Sequence, residues 1–268
     1  MELFGMHFTV WQCVVLVVCS FGAGFTKTGI IGLGIVMTPL MASAFPSGMA
    51  LGFMIPLYIL GDVLTLLTFR RKVLWRPLLR ALPWGIAGTV AAWWFTGVLL
   101  ARLGEGADSV LRTVIGVLMV GVVLLGVYVS RHPDLAMGKN ASESQRRRGN
   151  VRVWYGAVLG TFAGMISMLT NSGGPIWGLY LSSLGLQVGE IIGTAVWCFF
   201  VVTLVKIPLS ANLGFLNADT LLLNLILCPL TVAGVITGKR VSGFFGKDMF
   251  GKLIQGLAFL GAVYLILF

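Results

Sequence analysis

Ten apolar runs, each bounded by charge, glycine or proline, follow one another along this chain from about residue 8 to the last residue. They cover about 8–25, 29–45, 47–69, 77–102, 110–130, 153–171, 174–186, 188–209, 218–238 and 250–268. Most approach the roughly 20 residues a helix needs to cross the hydrocarbon core of a bilayer. With 57% hydrophobic and 10% charged residues over 268 positions, the chain lacks the polar side chains to cover a soluble globule. The expected fold is therefore an all-α polytopic membrane protein. Residues 1–25 have the hydrophobicity of a signal peptide, but only Glu2 and His7 precede or open the apolar stretch, with no basic segment, so they are read as the first helix.

A net charge of +10 raises the question of nucleic acid, yet the basic residues sit in short loops between apolar runs and form no soluble basic face. Membrane orientation explains them better. Arg70, Arg71, Lys72, Arg76 and Arg80 form one cluster, and Arg131, Lys139, Arg146, Arg147, Arg148 and Arg152 a second. Lys239, Arg240, Lys247 and Lys252 form a third. Together they hold 15 of the 19 basic residues and face the cytoplasm by the positive-inside rule, which leaves the loop with Glu105 and Asp108, and the N-terminus, outside. The expected location is the bacterial inner (plasma) membrane.

The runs 29–45 and 174–186 are short, and glycine-rich junctions rather than polar loops join each to its predecessor. Both pairs read as broken or re-entrant hairpins. Tracing the sides of the membrane gives the two hairpins opposite entry faces. Pro83-Trp-Gly-Ile-Ala-Gly88 and Pro229-Leu-Thr-Val-Ala-Gly234 also share one pattern on corresponding helices. These features predict two inverted-topology repeats, each a broken hairpin plus three transmembrane helices: residues 1–130 and 153–268, joined by a cytoplasmic linker at 131–152.

Subtracting the loop clusters, and Arg102 and Arg112 beside the outer loop, leaves Lys27 and Lys206 as the only cations within apolar runs. A charge inside a membrane span is a functional candidate by default. Lys27 lies in Gly22-Ala-Gly-Phe-Thr-Lys-Thr-Gly29. There Gly24 and Gly29 permit chain reversal, Thr26 and Thr28 add hydroxyls, and the next helix would supply N-terminal amides, together a cradle for an anion. The bland reading is a lysine that snorkels outward while the glycines serve helix packing. The matching junction runs through Thr170, Asn171, Ser172, Gly173 and Gly174 to Pro175, a residue suited to the first turn of a helix. Its polar side chains also fit simple capping.

Lys206 follows Glu190 by 16 residues, roughly 24 Å along a helix, which puts it toward the outer interface with snorkelling as the competing reading. Asp62 is the only acid well inside a run, a candidate to carry a coupling proton or to pair with a lysine, although its distance of eight residues from Arg70 leans it toward the cytoplasm. Trp177, Tyr180 and Trp197 are candidates to line a pocket, against the aromatic enrichment expected of any membrane interface. Cys13, Cys19, Cys198 and Cys228 all fall in apolar stretches and read as small core residues. With no Ser/His/Asp set, metal spacing or phosphate loop, neither an enzyme, a metal site nor a cofactor is expected.

The segments Gly22 to Leu40 and Asn171-Ser-Gly-Gly-Pro175, with Ile192-Gly-Thr194, Lys206-Ile-Pro208 and Gly214, resemble the sulfite exporter TauE/SafE family, also called the toluenesulfonate uptake permease family. The resemblance implies a transporter of sulfur-containing anions such as sulfite, sulfoacetate or toluenesulfonate, with the signature segments near the substrate. Thr-Lys-Thr stands here where the family form is glycine-rich, which makes Lys27 a candidate specificity residue. The resulting expectation is an alternating-access secondary transporter, driven by protons if an acid such as Asp62 couples them. An anion channel and a non-transporting membrane scaffold are the alternatives. Small anion, lipid bilayer and no nucleic acid complete the expected partners.

Overall fold

In a computed structural model, the structure describes residues 2–3, 6–7, 9–29, 33–45, 47–69, 72–104, 128, 153–171, 173–216 and 218–244. The runs expected at 110–130 (but for Tyr128) and 250–268, and the linker 131–152, lie outside them. A two-residue antiparallel strand pair, β1 (Glu2–Leu3) with β2 (Met6–His7), precedes the helices. The helices are α1 (Val10–Thr28), α2 (Gly34–Ala42), α3 (Ser47–Phe69), α4 (Trp75–Leu103), α5 (Val153–Thr170), α6 (Gly174–Ser182), α7 (Val188–Asn212) and α8 (Ala218–Ser242).

The protein is an all-α polytopic membrane protein. Among the described residues, α1, α3, α4, α7 and α8 are long and apolar enough to span a membrane. Among the described residues, large apolar side chains cover much of the outside of the spans, while polar side chains are buried within a largely apolar core. Val10, Trp11, Val14, Val17 and Val18 on α1, and Leu221, Leu222, Leu225 and Ile226 on α8, are exposed. Ser20, Thr26, Lys27, Asp62, Thr65, Thr89, Thr203, Lys206 and Thr231 are buried. That distribution suits a lipid solvent, in which polar side chains must find partners inside.

The two short runs become helices of nine residues each, too short to cross the bilayer. Each packs on the longer helix before it, α2 on α1 and α6 on α5, so both hairpins are broken at mid-chain glycine junctions. The most extensive packings are α1 on α8 and α4 on α5. Exchanging the two halves of the chain turns one of these pairs into the other.

Glycines make these close approaches possible, as expected where helices cannot be driven together by exclusion of water. A Cβ at Gly24 would overlap the carbonyl oxygen of Thr231, and one at Gly234 would overlap that of Phe21. In the other pair, a Cβ at Gly164 would overlap the carbonyl of Gly85, and one at Gly88 that of Thr161. A single sequence offset relates Phe21 to Thr161 and Gly24 to Gly164, and a single offset relates Gly85 to Thr231 and Gly88 to Gly234. The final glycine of both Pro-x-x-[Ile/Val]-Ala-Gly segments thus does the same work. Hydrogen bonds then lock each seam: Thr231 Oγ1 donates to the Ser20 carbonyl at 3.0 Å, and Thr89 Oγ1 to the Gly164 carbonyl at 3.3 Å.

Gly164→Val is expected to destabilise the protein by at least about 1–3 kcal/mol, because the backbone across the seam cannot yield. Gly97→Val, on the same packed pair but with no atom of the described residues within 4 Å of its Cβ position, is expected to change stability by under about 0.5 kcal/mol. Unfolding midpoints of the purified variants in detergent check the contrast.

Candidate anion site between the broken hairpins

Both hairpin breaks open onto one small cavity of about 30 Å3, room for about two waters. Thr26 and Lys27 reach it from the last turn of α1, Gly34 from the first residue of α2, and Ile55 and Tyr58 from α3. Ser167, Asn171, Gly173 and Gly174 contribute from the α5–α6 break, and Phe199, Thr203 and Lys206 from α7.

Lys27 is 8% exposed and Lys206 3%, while Asp62 is fully buried, so the interior charges among the described residues converge here. Lys27 Nζ pairs with Asp62 Oδ1 at 2.8 Å. Its ammonium also sits over the rings of Tyr58 and Phe199, 4.8 and 4.6 Å from their centroids, where the ring faces attract a cation. The pair is built by backbone packing. At Gly61 the Lys27 stem comes within 3.1 Å of where a Cβ would stand, and α1 backbone lies close behind it. Thr203 Oγ1 donates to Asp62 Oδ2 at 3.5 Å.

Lys206 is held differently. Its ammonium donates to the Ser167 carbonyl at 2.7 Å and to Asn171 Oδ1. The Ser167 carbonyl belongs to the last turn of α5, the negative end of that helix. Asn171 takes the left-handed conformation, φ 57°, that stops α5 and turns its amide toward Lys206; its Nδ2 donates to the Leu51 carbonyl of α3 at 3.3 Å. Asparagine tolerates this conformation better than most residues. Both of Lys206's acceptors are neutral.

The start of α6 completes the wall. Gly173 occupies its N-cap position with no side-chain cap, Pro175 follows within the first turn, and Gly173 and Gly174 face the cavity. The positive end of α6 therefore points at the same space as the two lysines. A Cβ at Gly173 would stand 2.6 Å from the Ala163 carbonyl oxygen, so glycine is what lets the break fold back on α5.

Not every candidate converges on the cavity. Thr28 Oγ1 donates to the Val235 carbonyl at 2.7 Å, and Gly24 contacts Thr231, so both serve the α1–α8 seam. Gly29 closes α1, its N–H donating to the Phe25 carbonyl. Thr26 lines the cavity while its hydroxyl donates to the Ala23 carbonyl. Trp177 is buried against Tyr180 and beside Gly85, Tyr180 Oη donates to the Pro77 carbonyl, and Trp197 packs on Trp75. Thr170 ends α5, while its side chain, and all of Ser172, lie outside the described residues. Lys206 is buried, against the snorkelling reading, and Asp62 pairs with Lys27.

Tyr58, Ser167, Phe199 and Thr203 were not singled out by residue type. Helical spacing was the signal that could have found them. Tyr58 lies four residues before Asp62, Ser167 four before Asn171, and Thr203 and Phe199 three and seven before Lys206, each on the face of a residue already suspect.

A multi-pass helical membrane protein whose interior charges meet between two broken hairpins has the build of a transporter. The model of the sulfite exporter TauE/SafE family matches residues 16–265, and the chain belongs to that family of membrane transporters. No curated protein and no solved structure matches it.

Proposed function

We propose that this protein is a secondary transporter that binds a compact sulfur oxyanion, sulfite or a small organosulfonate such as sulfoacetate, between Lys206, Lys27 and the first turn of α6. The observation that carries this reading is the charge of the cavity. Among the described residues, two ammonium groups share one carboxylate, and Lys206 is held only by neutral acceptors. One positive charge is left without a counter-charge in a low-dielectric interior, where it favours an anion strongly. The dimensions of the cavity support sulfite over an aryl sulfonate such as toluenesulfonate.

The half-exchange relating the α1–α8 and α4–α5 seams supports two inverted repeats with the site between them, which rock to alternate access. Lys72 of the first basic cluster and Lys239 of the third line one cleft at the same end of the bundle as Phe69 and Val188. That arrangement supports a cytoplasmic position for this end in a bacterial inner membrane, and an N-terminus outside. Protons are the proposed driving ion, with Asp62 as their carrier.

A thermal-shift series on purified protein tests the substrate class, using sulfite, sulfate, acetate, taurine, sulfoacetate and toluenesulfonate. A ligand at 100 times its Kd stabilises the native state by about 2.7 kcal/mol. Sulfite or sulfoacetate is expected to raise the midpoint and toluenesulfonate to leave it unmoved. Stabilisation by acetate alone, or by none of the sulfur anions, would overturn the assignment.

A further inference from the structure

We propose that Asp62 is a tethered counter-anion that competes with the substrate for Lys27, so that one proton is taken up with each transported anion. This inference rests on the reading of the cavity as the anion site. Asp62 does not line the cavity; it stands behind Lys27 and Thr203, bonded to both. It is the one carboxylate among the described residues placed within a span, since Glu190 and Asp219 occupy first turns of helices. The charged groups among the described residues that act on it are Lys27 from α1, in contact, and Lys206 from α7, farther off.

Charge counting gives the mechanism. With the cavity empty, Lys27, Lys206 and Asp62 sum to one positive charge. When an oxyanion engages both lysines, Asp62 loses its cation and keeps only the Thr203 hydroxyl as a partner. A fully buried carboxylate cannot remain ionised at little cost in that setting. A hydronium ion from the aqueous compartment that the cavity faces then gives its proton to Oδ1: an O–H bond forms on the carboxylate, one hydronium O–H bond breaks, and water is left. For a monoanion the loaded cavity again carries one positive charge. Empty and loaded carriers thus reorient with equal charge, the transport is electroneutral, and the pH gradient drives accumulation. On return, the anion leaves, Asp62 gives up its proton and re-pairs with Lys27.

The test uses full-length protein in proteoliposomes with radiolabelled sulfite as the probe, at acidic pH where the hydrogensulfite monoanion predominates, reading counterflow exchange and net uptake separately while the membrane potential is clamped. Wild-type net uptake is expected to follow the pH gradient and ignore the potential. Asp62→Asn leaves two uncompensated lysines in the empty carrier, so the ratio of net uptake to exchange is expected to fall at least about tenfold. Lys27→Gln combined with Asp62→Asn restores a single positive charge. It is expected to bind the anion more weakly but, at saturating substrate, to regain the wild-type ratio of net uptake to exchange without a response to the pH gradient, and it decides the matter if Asp62→Asn alone does not fold. A wild-type ratio in Asp62→Asn, a pH response in the double variant, or wild-type uptake that tracks the potential would overturn the proposal. Absence of both exchange and uptake in the wild type would instead overturn the anion-site reading beneath it.

Discussion

Lys206→Met is expected to abolish transport while leaving a folded protein. The methionine fills a similar volume, and the groups it abandons, the Ser167 carbonyl and Asn171 Oδ1, are neutral. Leaving such an acceptor without a donor costs about 1–3 kcal/mol, part of which the apolar side chain returns. The Lys27–Asp62 pair remains neutral as a unit, so no uncompensated charge stays in the interior. The anion, by contrast, loses the cation that the cavity holds in excess. Truncating one partner of a buried charge pair costs about 2–5 kcal/mol, or roughly 30-fold to several-thousand-fold in Kd. Uptake of labelled sulfite by proteoliposomes, read beside the unfolding midpoint, separates the two effects. Near wild-type uptake by a folded Lys206→Met protein would remove Lys206 from the site.

Lys27→Met is expected to do the opposite and damage the fold first. Asp62 is fully buried and, among the described residues, its only cation in hydrogen-bond range is Lys27. Removing one member of a buried ion pair typically costs about 3–5 kcal/mol, because the other charge is stranded. Adding Asp62→Asn removes the stranded charge, and most of that loss is expected to return. Unfolding free energies of the two single variants and the double, compared as a thermodynamic cycle in one detergent, give the coupling directly. An additive double variant would show that the 2.8 Å pair contributes no mutual stabilisation. The contrast between the lysines is a structural one: Lys27 is paired with a carboxylate, whereas Lys206 rests, among the described residues, on neutral acceptors.

Much of the architecture was legible in the chain. A helix in lipid satisfies its own backbone, so each span announces itself by length and composition, and the runs at 47–69 and 188–209 recur as α3 and α7 with little change. The glycine junctions after α1 and α5 were legible for a related reason: with neither a polar loop nor enough residues for a second span, the chain has to break inside the membrane. Lys27, Lys206 and Asp62 stood out because a charge in an apolar run is costly and rare.

Position along a helix axis is where reading the chain stopped. Counting 16 residues from Glu190 gives Lys206 a depth along a straight helix but not the neighbours its side chain meets. The fold instead brings Lys206 to the C-terminal carbonyls of α5 and the turned amide of Asn171, partners supplied by a helix 35–39 residues earlier in the chain. Likewise, Thr28 and Trp177 have the chemistry of binding residues, but their rotational position on α1 and α6 directs them into helix seams at Val235 and Gly85. By itself, then, the sequence determined that this chain crosses a membrane as helices, where it breaks, and which charges it buries, because those depend on local transfer energies. Only the tertiary structure decided that the two breaks face each other, that Asp62 belongs to Lys27, and that Lys206 rests on the Ser167 carbonyl and Asn171, because close packing at glycines sets which long-range neighbours meet.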